Sequence, residues 1–308
     1  MDLDLLSFAQ EIGDASAGPV WIAGRQTRVP APSGIRTVSA PSGIVDVQPE
    51  EMVVACGAAT PVDELQAELA RFGQYVNLPK RTDDSGTVGG ALAQGTGDIY
   101  RLGRGSLRDT LLQVRYVDHD ANVIKAGGPT VKNVSGFDLC RLMVGSRGVL
   151  GFMGEMILRT RPVPPSSRWF VLENSEYRIV EHLLQHIYRP ASVLWNGTSV
   201  WFCIEGHPKD CDDTIRSLAR DGIDPVESSG PPDSSRLTIR ESIAPSKLER
   251  VGSTLIGEFL IEAGVGIVHR NSPGSPAKMD DRVVELHHRL LMEFNPSARL
   301  NPGVSLVG

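Results

Sequence analysis

Glycine is distributed unevenly along the chain: of 32 glycines, 14 fall between Gly86 and Gly154, under a quarter of the 308 residues. Glycine admits positive φ and close approach of the main chain, and it costs conformational entropy wherever those freedoms are unused. The stretch shows no fixed period, so neither a collagen-like chain nor a repeat array is expected. Glycine interleaved with strand and helix patterns points instead to a cradle in which backbone comes close to a bound molecule.

Flanking patterns give the scaffold of that cradle. Gly43 to Gln48 alternates, Met52 to Cys56 is a short apolar run, and Pro49-Glu50-Glu51 lies between them, which predicts a β-hairpin. Thr60 is the expected N-cap of the next helix, with Pro61 in its first turn and Asp63 three residues on. Val62, Leu65, Ala67, Leu69 and Phe72 form its apolar stripe and Gly73 ends it. Thr110 to Val117 and Asn122 to Lys125 read as strands joined by Asp118-His119-Asp120-Ala121, and Gly154 to Arg161 alternates up to a break at Pro162, Pro164 and Pro165.

That break is the expected domain boundary, dividing residues 1–164 from a second domain over 165–290, with 291–308 returning to the first. In the second domain Arg168 to Leu172 reads as a strand and Glu176 to Ile187 as an amphipathic helix. Ser192 to Trp195 and Ser199 to Ile204 read as a hairpin turned by Asn196-Gly197. A helix over Asp210 to Arg220 and strands near Asp224 to Glu227 and Leu237 to Arg240 complete a βαββαβ-like series, an antiparallel sheet backed by helices. Residues 228–235 read as a loop, and Ala277 to Phe294 as a final helix.

Composition narrows the function classes. Lys and Arg number 31 against 37 Asp and Glu, a formal charge of −6, so the chain has no global attraction for nucleic acid. No apolar run reaches the roughly 18 residues of a membrane span, and Met1-Asp2-Leu3-Asp4 lacks a basic leader, so a cytoplasmic location is expected. Cys56, Cys140, Cys203 and Cys211 are scattered and read as buried thiols, not as a metal cage. His182 and His186 stand at i and i+4, but Leu183 occupies the place of the glutamate in a zinc protease motif, and helix decoration is the reading adopted. His287 and His288 are adjacent and point to different helix faces.

Four segments carry chemistry together. They are Thr87-Val88-Gly89-Gly90-Ala91-Leu92, whose amides are expected to hold a phosphate at a helix start, and Gly103-Arg104-Gly105-Ser106-Leu107-Arg108-Asp109. The others are Lys132-Asn133-Val134-Ser135-Gly136-Phe137-Asp138-Leu139 and Gly145-Ser146-Arg147-Gly148-Val149-Leu150-Gly151. In this order, from Gly43 to Arg161, they resemble the FAD-binding domain of the PCMH or vanillyl-alcohol oxidase type. Within that family the Lys132 to Asp138 segment resembles the FAD-binding subunits of bacterial glycolate oxidases, and Asn301-Pro302-Gly303 resembles the family's closing Asn-Pro-Gly.

The resemblance implies an α+β fold: a PCMH-type FAD-binding domain of two α/β subdomains with a small antiparallel α+β cap. It implies noncovalent FAD along Gly24, Arg25, Gln26, Thr27, Arg28, Pro79, Thr87, Val88, Gly89, Gly90, Ala91 and Gly97. The expected site continues through Gly105, Ser106, Asn133, Ser135, Gly136, Asp138, Gly148, Leu150, Gly151 and Met153. The pyrophosphate is expected near Thr87 to Ala91, the adenine near Val149 to Met153, and the flavin ring against Asn133 to Asp138. One departure stands out: the family's first phosphate loop has several consecutive glycines, whereas Ala23 to Arg28 has one, with Arg25 and Arg28 available to pair with phosphate directly.

Gly264 to His269 does not match a dinucleotide fingerprint and reads as a strand, making His269 and Arg270 candidate substrate-side residues. The implied activity is oxidation of a small 2-hydroxy acid such as glycolate, with electrons passed to flavin and iron–sulfur partner subunits. This chain has no cysteine array for a cluster. The location implied is cytoplasmic, with membrane association only through such a complex. An accessory subunit with weakened or lost FAD binding is the alternative, and a sugar-nucleotide reductase on the same fold a third reading.

Overall fold

Short alternating strands and amphipathic helices assemble here into two units, and the computed structural model describes residues 3–25, 30–79, 86–129, 138–271 and 280–306. One unit comprises Met1–Asp98, Ser106–Val163 and Met279–Gly308; the other comprises Ile99–Gly105 and Pro164–Lys278.

In the first unit α1 (Leu5–Ile12) is capped by the Asp4 carboxylate, which accepts from the Ser7 amide at 2.9 Å, and it buries Leu5, Phe8, Ala9 and Ile12 at helical spacing. β1 (Val20–Ile22) pairs in parallel with β2 (Arg36–Val38), a pairing the sequence reading did not contain. β3 (Ile44–Gln48) and β4 (Val53–Gly57) form the expected antiparallel hairpin. α2 (Val62–Ala70) follows, but Pro61, not Thr60, is its N-cap. Thr60 is fully buried, and its hydroxyl bonds both the amide and the carbonyl of Gly43, which removes it from capping duty.

Next come β5 (Gln74–Val76), α3 (Val88–Gln94), and the short α4 (Arg101–Arg104), which belongs to the second unit. β6 (Leu111–Val117), β7 (Val123–Gly127), α5 (Leu139–Met143) and β8 (Phe152–Pro162) complete this part of the chain. The sheet runs β3-β4-β8-β6-β7, and β5 pairs with the far end of β8. β8 is eleven residues long because it serves both sets of partners, so it extends beyond the expected strand at each end. Its core contains Val54, Leu65, Leu69, Val88, Leu92, Val114, Met156 and Leu158, all fully buried.

The second unit contains β9 (Ser166–Leu172), α6 (Tyr177–His186), β10 (Ser192–Trp195), β11 (Val200–Gly206), α7 (Pro208–Arg220) and β12 (Val226–Ser228). It continues with β13 (Ile239–Ser242), α8 (Leu248–Gly252), β14 (Phe259–Glu262) and β15 (Ile267–Arg270). Its sheet is antiparallel throughout, in the order β12-β9-β11-β10-β14-β15-β13. Asn196 and Gly197 turn the β10–β11 hairpin, Asn196 accepting from the amides of Thr198 and Ser199 through Oδ1. β14 was absent from the sequence reading, since its continuous apolar run Phe259-Leu260-Ile261 shows no alternation. The last helix, α9 (Asp281–Phe294), lies in the first unit and is capped by Asp280.

The four cysteines are free and buried. Burial pushes the Cys56 and Cys203 thiols up to about 12 and Cys140 to about 11, with the Glu155 carboxylate adding to the effect at Cys56. Unfolded thiols ionise near 9, so the unfolded chain loses these protons first and folded stability falls as pH rises from 9 towards 12. The expected result is a urea midpoint that drops between pH 8.5 and about 11, at a cost on the order of 1 kcal/mol per thiol per pH unit. Cys56→Ala should flatten part of that drop; an unchanged slope in the variant would show that Cys56 does not contribute.

Candidate functional site

The first unit contains a cavity of about 490 Å³, well inside the range of small-molecule sites. Trp21, Ile22, Ala23, Gly24 and Arg25 form one wall, at the end of β1. Ala58 and Ala59 after β4, Gly86 and Thr87 before α3, and Gly89, Gly90, Ala91, Ala93 and Gln94 on α3 form a second. Arg147, Gly148 and Gly151 to Met153 form a third at the entry to β8, and Asn301 with Gly303 to Ser305 a fourth. Among the described residues lining it the only charged groups are Arg25 and Arg147; no acidic side chain is among them.

α3 is fixed at both ends. Thr87 caps it by accepting from the Gly90 amide through Oγ1 at 3.2 Å. The Val88 amide donates to the Thr60 carbonyl, Gly89 to Ala58, and Ala91 to Thr87, so the first four amides of this helix are all used inside the protein. This corrects the expectation of free helix-start amides for a phosphate. At the other end Gly145 and Arg147 donate to the carbonyls of Leu92 and Ala93.

The glycines are explained by packing as much as by ligand access. A Cβ on Gly89 would lie 2.7 Å from the Ala58 side chain, so α3 could not sit this close to the end of β4. A Cβ on Gly148, where φ is +74°, would meet Asn301 Nδ2 at 2.5 Å. Asn301 is buried and joins three segments: its Oδ1 accepts from the Ile22 amide at 2.9 Å and its Nδ2 donates to the Arg147 carbonyl at 2.8 Å.

Of the expected site residues, Gly24, Arg25, Pro79, Thr87, Gly89, Gly90, Ala91, Gly148, Gly151 and Met153 are brought together around the cavity. Val88 and Leu150 are core side chains instead. Asp138 caps α5, accepting from the Arg141 amide at 3.1 Å, and does not line the cavity. Gly97 and Ser106 belong to the first unit and Gly105 to the second, and none of the three is among the lining residues. Gln26, Thr27, Arg28, Asn133, Ser135 and Gly136 lie outside the described residues.

In the second unit His269 Nε2 lies 2.6 Å from Oε1 of the buried Glu262, and Arg270 is paired with Glu241 across the β15–β13 register. The His182 and His186 rings stack at 3.9 Å, and His182 Nε2 lies 3.3 Å from an Asp221 oxygen. Sequence reasoning missed Trp21, Ile22, Arg147 and the Asn301 to Ser305 segment as lining residues, whereas Phe152 falls within the stretch expected near the adenine. For Asn301 a signal existed, since Asn-Pro-Gly is turn chemistry and asparagine tolerates the positive φ of 44° seen here. For Trp21 there was none, because an apolar strand end looks like core.

A family model described as an FAD binding domain matches residues 20–127. Glycolate oxidase subunit GlcE of Escherichia coli (strain K12) is 34% identical over 170 residues, covering 53% of this chain and 48% of that protein. D-lactate dehydrogenase of Archaeoglobus fulgidus is 30% identical over 164 residues, covering 51% of this chain and 36% of that protein. The matched stretch thus spans about half the length of these relatives or less. Among solved structures, an alkyldihydroxyacetonephosphate synthase superposes with a TM-score of 0.68 at 12% identity, over 96% of this chain and 74% of that one, a likeness of fold. Over residues 20–127 the chain is thus similar to FAD-binding domains, and the matches indicate FAD as its cofactor.

Proposed function

We propose that this chain is an FAD-dependent oxidoreductase acting on the CH–OH group of a small 2-hydroxy acid such as glycolate, as a subunit that passes the electrons to a partner. The carrying observation is the cavity, whose described lining is apolar or glycine-rich apart from a few polar side chains and two arginines. Those walls suit a ligand that joins flat rings to a dianionic diphosphate. The relatives support the substrate class, since their names include glycolate oxidase subunits, D-lactate dehydrogenases and D-2-hydroxyglutarate dehydrogenases.

When bound, the flavin supplies a hydride acceptor for the substrate's CH–OH carbon. Trp21, Ile22, Phe152 and Met153 keep water from the cavity walls, and Arg25 and Arg147 offset the diphosphate charge. The overall change would take one hydride to the flavin and one hydroxyl proton to solvent, leaving a 2-oxo acid, and a flavin or iron–sulfur partner in a cytoplasmic assembly would take up the electron pair. The second unit, Ile99–Gly105 with Pro164–Lys278, would form the substrate domain, in place of the 165–290 expected from the sequence.

Anaerobic mixing of the FAD-loaded protein with glycolate or D-lactate is expected to bleach the yellow flavin band. Bleaching by dithionite but by no small 2-hydroxy acid would overturn the substrate class, and bleaching by NADPH would favour a reductase.

A further inference from the structure

Three devices can hold a diphosphate in a protein: amides at a helix start, a glycine-rich loop, and guanidinium groups. The first is closed here, because the amides of Val88, Gly89, Gly90 and Ala91 each donate to a protein oxygen. Nearby main chain is also committed: the Ile22 amide donates to Asn301, Ala23 to Val38, Gly148 to Ser146, and Val149 to the Ser146 carbonyl. Positive charge on the described lining comes from Arg25 and Arg147.

Arg147 differs from Arg25 in how it is held. Arg25 is a half-exposed side chain 3.8 Å from Asp63. Arg147 has a φ of +52°, the left-handed region, and the next residue, Gly148, has a φ of +74°. Left-handed backbone suits glycine and strains arginine. Three hydrogen bonds keep it there: its amide donates to Ala93 at 2.8 Å, its carbonyl accepts from Asn301 Nδ2 at 2.8 Å, and its Nη1 donates to the Ser305 carbonyl at 3.1 Å. Glycine would suit this backbone better, yet an arginine stands here among the residues lining the cavity, its Nη1 on the carbonyl of Ser305, which also lines it.

We infer that Arg147 is a direct ligand of the cofactor's diphosphate, taking the place of the helix-start amides. This rests on the reading that the cavity holds FAD. The guanidinium, tied at Nη1 to Ser305, keeps further N–H donors in its planar fork for phosphate oxygens. Neutralising charge in this way makes affinity salt-dependent, which bonding by neutral amides does not to the same degree.

The test compares wild type, Arg147→Gly and Arg147→Lys in FAD titrations at low and high salt, beside thermal unfolding of the FAD-free proteins. Arg147→Gly is expected to weaken FAD binding on the order of 30- to 100-fold and to flatten its salt dependence. The same variant should unfold no earlier than wild type when FAD-free, because glycine relieves the left-handed strain. Arg147→Lys, which keeps a point charge, should recover part of the affinity. FAD affinity in Arg147→Gly within threefold of wild type overturns the inference, and so does a loss of affinity with unchanged salt dependence. A wild-type protein that takes up no FAD overturns the underlying reading as well, so the two failures are told apart.

Discussion

Replacing Arg299 with methionine is expected to lower the stability of the first unit by on the order of 3–5 kcal/mol, among the largest effects of any single change in the chain. Arg299 is 2% exposed, and its guanidinium donates only to main-chain carbonyls: Nε to Gly18 at 3.0 Å, Nη1 to Gly13 at 3.0 Å and His119 at 2.8 Å, and Nη2 to Ile12 at 2.7 Å. These four acceptors lie on the last residue of α1, on the segment after it and on the β6–β7 turn, so with Arg299 itself three distant stretches of sequence are joined. Methionine fills a similar volume but takes a donor from four carbonyls: that of Ile12 keeps the Arg36 guanidinium, whereas the part-buried carbonyls of Gly13, Gly18 and His119 lose the donor seen here, and each unsatisfied buried group costs about 1–3 kcal/mol before relaxation. The check is urea unfolding of wild type and variant. A loss under about 1 kcal/mol would show that water replaces the guanidinium without difficulty.

Gly90→Phe is expected to separate binding from folding. Gly90 is exposed, lies within α3, and lines the cavity. The one neighbour a Cβ would meet there is Thr87 Oγ1, at 3.0 Å, so the hydroxyl must shift by a few tenths of an ångström and the ring enters open space. Losing a helical glycine offsets that adjustment, and stability should stay within about 1 kcal/mol of wild type. FAD affinity should fall by at least about 100-fold, because the phenyl ring would occupy volume the ligand needs. Fluorescence titration with FAD checks it, beside unfolding of the ligand-free variant. Wild-type affinity in this variant would place the cofactor somewhere other than along α3.

The patterns that were legible in the sequence are those governed by local chemistry. Alternation exposed β3 and β8, a short apolar run exposed β4, the turn Asp118 to Ala121 marked β6 and β7, Asn196-Gly197 marked the β10–β11 hairpin, and the apolar spacing of Val180 and Leu183 marked α6. The parallel pair β1–β2 was not legible, because three-residue strands carry no period and Val20 finds part of its pairing with Leu300, far along the chain. The glycine motifs located the cavity walls but misled about their bonding. Nothing in Thr87 to Ala91 reveals that the carbonyls of Ala58 and Thr60 approach to accept its amides; only the fold brings the end of β4 to the start of α3. Arg147 sat inside a recognised motif, yet its left-handed backbone and its hold on Ser305 depend on Asn301, more than 150 residues later.

The central claim is that the cavity between β1, α3, the entry to β8 and the Asn301 to Ser305 segment holds FAD. The most direct measurement is equilibrium dialysis of wild type and Gly90→Phe against FAD, with the retained flavin released by denaturation and counted per chain. One flavin per wild-type chain, and close to none in the equally folded variant, is the predicted result. Equal retention by both, or none by either, would contradict it.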